Sequence, residues 1–98
     1  MSNVKIINHM FWDCENLTDI KFSSSLGSNN TPIELNLSDC GKNKGYKLSD
    51  KTWESMLNMY DRRKAGLEDS EIVLSEFHNI PKGWKMKMSD KGYIITIL

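Results

Sequence analysis

The most reactive side chains in this sequence are two cysteines and two histidines spread along the chain. His9 and Cys14 lie five positions apart, so an imidazole and a thiol could approach each other across a strand and a turn. A cysteine nucleophile needs a base and an oxyanion donor. One hypothesis is therefore a small enzyme or ligand-binding protein with a site near His9 and Cys14. Since no fuller catalytic set accompanies this pair, we expect no enzymatic activity.

Neither a metal site nor a cofactor is expected. His9, Cys14, Cys40 and His78 show none of the short spacings typical of zinc ligands. Segment 40–47 contains glycines and lysines but lacks the Gly-Lys-Ser/Thr ending of a phosphate-binding loop. The sequence also has no signal-peptide pattern and no apolar run of about 18 residues. These features predict a cytoplasmic protein with free thiols that does not cross a membrane.

Charged residues balance overall but are segregated along the chain. The sequence contains thirteen Lys and Arg residues and thirteen Asp and Glu residues, so the net charge is zero. This balance disfavours a general nucleic-acid binder. Residues 1–41, 42–64, 65–79 and 80–98 sum to −3, +4, −4 and +3. Such blocks indicate surface patches that orient a partner protein. The lysines predicted to do so are Lys42, Lys44, Lys47, Lys85 and Lys87.

The patterning predicts a single α+β domain over residues 1–98. We expect an antiparallel sheet, with elements in the order βββααββ and one or two helices packed on one face. Strands are predicted over 4–12, 19–26 and 33–38, from apolar or alternating residues separated by turn residues.

Two helices are predicted in the second half of the chain. Residues 49–64 combine the N-cap Ser49 with an apolar stripe that begins at Trp53 and Met56. Residues 67–79 predict a short acidic helix, and a strand through Ile72, Val73 and Leu74 is the alternative.

The pattern at the end of the sequence predicts a hairpin. Trp84, Met86 and Met88 alternate with lysines, and a four-residue loop then leads into the strand YIITIL. The expected cross-strand pairs are Met88 with Tyr93, Met86 with Ile95 and Trp84 with Ile97.

Adjacent aromatic residues supply the expected binding anchor. Phe11 and Trp12 point to opposite faces of their strand, so one ring is exposed if helices cover only one face. We interpret the chain as a non-enzymatic module that binds a protein through the open sheet face or an edge strand. Its size and composition fit a phage or mobile-element inhibitor of a host defence enzyme, such as an anti-CRISPR-type protein. The alternative is a nucleic-acid-binding module that uses the lysines of the C-terminal hairpin.

Overall fold

The computed structural model describes residues 5–6 and 14–98. In these ranges the strands are β1 (Lys5–Ile6), β2 (Ile33–Asn36), β3 (Ser70–Leu74) and β4 (Tyr93–Ile97). The helices are α1 (Asp50–Leu57), between β2 and β3, and α2 (Trp84–Asp90), between β3 and β4. Short 3-10 turns span Cys14–Asn16 and Lys42–Lys44. No helix in the described ranges is both long and apolar enough to span a bilayer.

Each strand runs parallel to its neighbour, in the order β1-β2-β3-β4. The chain is a small α+β domain, but the predicted antiparallel sheet and the order βββααββ are wrong. Parallel strands need a crossover connection, and α1 and α2 each form part of one. The sequence did not reveal this because the alternation within a strand carries no information about the direction of its neighbour.

The predicted C-terminal hairpin is wrong because its first half is the helix α2. Trp84 and Met88 are four residues apart and share the buried face of α2, whereas Met86 is 72% exposed. The indole Nε1 of Trp84 donates to the Trp53 carbonyl at 3.2 Å, which fixes the helix against α1. Tyr93 consequently pairs with Ser70 of β3 rather than with Met88.

The acidic helix predicted over 67–79 is also wrong, since this segment contains strand β3. Ile72, Val73 and Leu74 are all buried. Three successive buried residues give an apolar run rather than alternation, so the alternative prediction of a strand through Ile72, Val73 and Leu74 is confirmed.

Residues 19–26 form a loop and not the predicted strand. The Ile20 amide donates to Thr52 Oγ1 at 2.8 Å, and the Phe22 amide donates to Ser55 Oγ at 3.1 Å. These two backbone amides of the loop therefore hydrogen-bond to side chains of α1. Of the strand predicted over 4–12, only β1 lies within the described residues.

Helix α1 begins where the sequence predicted and ends earlier. Ser49 caps it by accepting a hydrogen bond from the Thr52 amide, and Trp53 and Met56 are buried. The predicted end at residue 64 is wrong because the backbone turns away after Leu57. The Tyr60 amide bonds instead to the carbonyl of Leu26.

The core lies between the sheet and the helices. Helices α1 and α2 contact each other, and both contribute to one buried cluster with the sheet. Right-handed crossovers between strands in chain order place their helices on a single face of the sheet. The largest buried side chains of this layer are Leu35, Trp53, Met56, Ile72, Leu74, Trp84 and Met88.

Candidate functional site

The two thiols lie together beyond the carboxyl end of β2. Cys14 and Cys40 are both free and buried, and their side chains are close enough to interact. The Gly41 amide donates to the Cys14 carbonyl at 3.0 Å, which joins the two turns. Burial, assisted by the neighbouring Cys14 thiol, raises the pKa of Cys40 far above its ordinary value. A buried thiol that stays protonated is a poor nucleophile, so Cys40 is a packing residue.

Both ring nitrogens of His78 are occupied by backbone groups. Nδ1 accepts a hydrogen bond from the Ser75 amide at 2.9 Å, so Nε2 carries the proton and donates to the Cys40 carbonyl at 2.8 Å. This arrangement ties the turn after β3 to the turn after β2, and it leaves no nitrogen of His78 free to act as a base. His9, the histidine proposed to act with Cys14, lies outside the described residues.

In the part of the chain that the structure describes, no group of three or more histidine, cysteine and acidic residues could hold a metal ion. Cys14, Cys40 and His78 do lie near one another. The ring of His78 bonds to backbone groups of Ser75 and Cys40, and the Cys40 thiol lies beside the Cys14 thiol.

The five predicted binding lysines are all exposed, but they fall on separate elements. Lys42, Lys44 and Lys47 lie between β2 and α1, whereas Lys85 and Lys87 lie on α2. No described hydrogen bond or cleft joins the two sets. Lys87 lines a cleft between α1 and α2 together with Lys82, Asp50 and Glu54, so its surroundings are mixed in sign. The predicted aromatic anchors, Phe11 and Trp12, lie outside the described residues.

The outer edge of β4 is a surface that the sequence did not assign. The Leu98 amide donates to the Leu74 carbonyl, and the Gly92 carbonyl accepts from the Ser70 amide, so these residues direct their backbone groups toward β3. Alternation along the strand then directs the N–H and C=O groups of Tyr93, Ile95 and Ile97 away from β3. We call these groups the outer edge of β4. Among the described residues none of them has a hydrogen-bond partner across this edge.

Apolar side chains surround the outer edge of β4. Ile94 is 53% exposed, Ile97 37% and Leu98 67%. The Glu76 amide donates to the Leu98 carbonyl at 3.2 Å, which ties the residue after β4 to the turn after β3. The pattern that could have indicated this surface is YIITIL, an uncharged run of strand-forming residues. Its position at an edge follows from strand order, which the sequence did not reveal.

A second site, in which backbone carbonyls have side-chain partners, lies where β3 and β4 begin. The Arg62 side chain is fully buried, and its Nε donates to the Glu68 carbonyl at 2.8 Å. Its Nη1 donates to the carbonyls of Gly27 and Asn29. The Tyr93 hydroxyl lies against Gly27 and donates to the Tyr60 carbonyl at 2.7 Å. We call Gly27, Asn29, Arg62, Glu68 and the Tyr93 side chain the Arg62 cluster; it ties the loop before β2 to the loop between α1 and β3 and to the start of β4.

Comparison with known proteins gives no match: no family model, no curated protein and no solved structure is similar to this chain.

Proposed function

We propose that this chain is a non-enzymatic protein-binding module whose outer edge of β4 accepts a strand from a partner polypeptide. The observation that carries the proposal is the set of unpartnered backbone groups of Tyr93, Ile95 and Ile97. Edge strands that do not bind are commonly protected by lysine, proline or a bulge. β4 contains no proline and no charged residue.

The side chains around this edge supply apolar contact for such a partner. Main-chain hydrogen bonds give affinity when a strand is added to a sheet, and alternate side chains give specificity. Ile94 and Leu98 lie on one face of β4 and are both more than half exposed. Ile95 and Ile97 lie on the other face, where Ile95 packs against the core. A partner strand would therefore meet apolar side chains on both faces.

The strand is also held firmly enough to act as a template. β4 pairs along its whole length with β3, whose Ile72 and Leu74 are fully buried. A strand that is already ordered loses little conformational entropy on binding. On the basis of size and composition alone, we extend the proposal to a host defence enzyme as the partner and to the cytoplasm as the compartment.

The nucleic-acid alternative has less support. Binding to phosphates requires basic side chains that act together, whereas Lys87 of α2 shares its cleft with Asp50 and Glu54.

Site-specific photo-crosslinking tests the proposal. A photo-reactive amino acid replaces Ile97 in one protein and Leu17 in a matched control, since the two side chains are similarly exposed. After nuclease treatment of a lysate, we expect a crosslinked polypeptide from position 97 and not from position 17. Equal yields from the two positions, or none from position 97, would contradict binding at the outer edge of β4.

A further inference from the structure

We infer that the strand accepted by β4 is β4 of a second copy of this chain, antiparallel and related by a two-fold axis at Ile95. This inference rests on the proposed function and names a second copy, in place of a host defence enzyme, as the partner at this edge. The resulting dimer joins the two sheets edge to edge, and the helices of each copy stay packed on the strands of that copy.

The backbone of β4 suits a two-fold axis. Its outward groups belong to Tyr93, Ile95 and Ile97, which are spaced evenly about Ile95. An axis perpendicular to the sheet makes the two edge strands antiparallel and gives both copies the same contacts. Ile95 then faces its own equivalent, and Tyr93 faces Ile97. Each facing pair exchanges both N–H···O bonds, which satisfies all the outward groups.

The absence of charge on β4 favours self-association over a charged partner. A two-fold interface places every residue near its own copy, so a charged edge would bring like charges together. β4 reads Tyr-Ile-Ile-Thr-Ile. Glu71 of β3 lies on the same face as Ile94 and Thr96, and it accepts a hydrogen bond from Thr96. The net charge of zero also removes long-range repulsion between copies.

The exposed apolar side chains are covered in this register. Ile94 faces Thr96 of the second copy across a non-hydrogen-bonded pair, where side chains approach most closely. Leu98 faces Gly92 of the second copy, which has no side chain to obstruct it. The most exposed apolar residues of the strand segment, Ile94 and Leu98, thus lose solvent contact on the same face of the joined sheet.

Analytical ultracentrifugation tests the dimer, on protein from about 1 µM to about 1 mM. We expect the wild type to change from monomer to dimer as concentration rises. Ile97→Lys should weaken association at least about tenfold, because the lysine faces an apolar edge. Ile97→Pro should do the same by removing one outward N–H. The matched control Leu17→Lys should dimerise like the wild type, and circular dichroism verifies that each variant is folded.

Mixed cysteine variants test the register. Ile94→Cys and Thr96→Cys place thiols that face each other only between antiparallel copies paired about Ile95, at a separation suited to a disulfide. With the oxidant diamide, we expect a mixture of the two variants to form crosslinked dimers. Either variant alone should form far fewer, because its own thiols lie diagonally. Equal crosslinking in the mixture and in the single variants contradicts the register and overturns the inference.

The remaining outcomes separate this inference from the proposed function. If the wild type stays monomeric but position 97 still crosslinks to a different protein, the dimer is wrong and protein binding at β4 stands. If the wild type stays monomeric and position 97 crosslinks to nothing, both are wrong. A dimer that neither Ile97→Lys nor Ile97→Pro weakens, or an assembly larger than a dimer, also overturns the inference.

Discussion

Backbone polar groups have hydrogen-bond partners in the Arg62 cluster and lack them at the outer edge of β4, although both regions involve Tyr93. In the Arg62 cluster, the buried guanidinium donates to three loop carbonyls, and its bond to Gly27 is itself buried. At the outer edge of β4, amides and carbonyls of the same strand have no partner across the edge among the described residues. Buried polar groups need partners for the fold to be stable. Open ones on an ordered strand are available to another chain, so the first region maintains the fold and the second is suited to binding.

The largest expected effect on stability is that of Arg62→Met. The substitution removes three hydrogen bonds of a charged donor, to the carbonyls of Gly27, Asn29 and Glu68. Hydrogen bonds to charged groups are worth about 1.5–3 kcal/mol each. We expect the free energy of unfolding to fall by about 4 kcal/mol, as measured by urea denaturation. Arg63→Met is the matched control, because the exposed Arg63 side chain forms a surface ion pair with Asp69. Equal stability of the two variants would show that the Arg62 cluster does not hold the loops.

Gly27→Ala should have the next largest effect. Gly27 has φ +92°, and an added Cβ would overlap the Tyr93 hydroxyl. The positive φ costs about 1–2 kcal/mol and the overlap adds to it, so we expect a loss of about 3 kcal/mol. At Gly45, which also has positive φ but open space around it, alanine should cost only about 1 kcal/mol. Adding Tyr93→Phe to Gly27→Ala should recover part of the difference. No recovery would contradict the close contact.

Alkaline pH should weaken the Arg62 cluster through Tyr93. Burial raises the pKa of Tyr93 from 10.0 to about 12, while the Arg62 charge opposes the shift. Below pH 10 the phenol is neutral in both folded and unfolded chains, and its contribution is fully present. As the pH rises toward about 12 the unfolded chain ionises first, so stability falls. Tyr93→Phe should lack this component in urea denaturation between these pH values. Identical pH profiles for wild type and variant would contradict the raised pKa.

The smallest expected effect on stability lies at the outer edge of β4. Ile97 is 37% exposed, so Ile97→Lys should change the free energy of unfolding by less than about 1 kcal/mol. The same substitution should weaken association at least about tenfold. The contrast between the two regions would fail if Ile97→Lys destabilised the fold as strongly as Arg62→Met.

Local features of the fold could be predicted from the sequence, but the arrangement of the strands could not. The Ser49 cap, the buried Trp53 and Met56, and a strand at Ile33–Asn36 follow from capping preference and from periodicity. Trp84 and Met88 satisfy both a two-residue and a four-residue period, so their pattern cannot separate strand from helix. Only the exposure of Met86 decides between them, and this depends on the tertiary structure.

The sequence could predict the type of candidate surface but not the strand that forms it. An edge strand was expected to bind a partner, but which strand lies at the edge depends on strand order, and parallel pairing made β4 that strand. The proposed lysines gave a weaker prediction, since spacing along the chain does not show that Lys87 shares a cleft with Asp50 and Glu54.

Amide hydrogen exchange of β4, measured by NMR at low and at high protein concentration, tests the central claim most directly. The inward amides of Ile94 and Thr96 should be protected at both concentrations, because they bond to β3. The outward amides of Ile95 and Ile97 should exchange rapidly when dilute and become protected at least about tenfold when concentrated. Outward amides that exchange equally fast at both concentrations would contradict strand pairing between copies, and outward amides already protected when dilute would contradict an open edge.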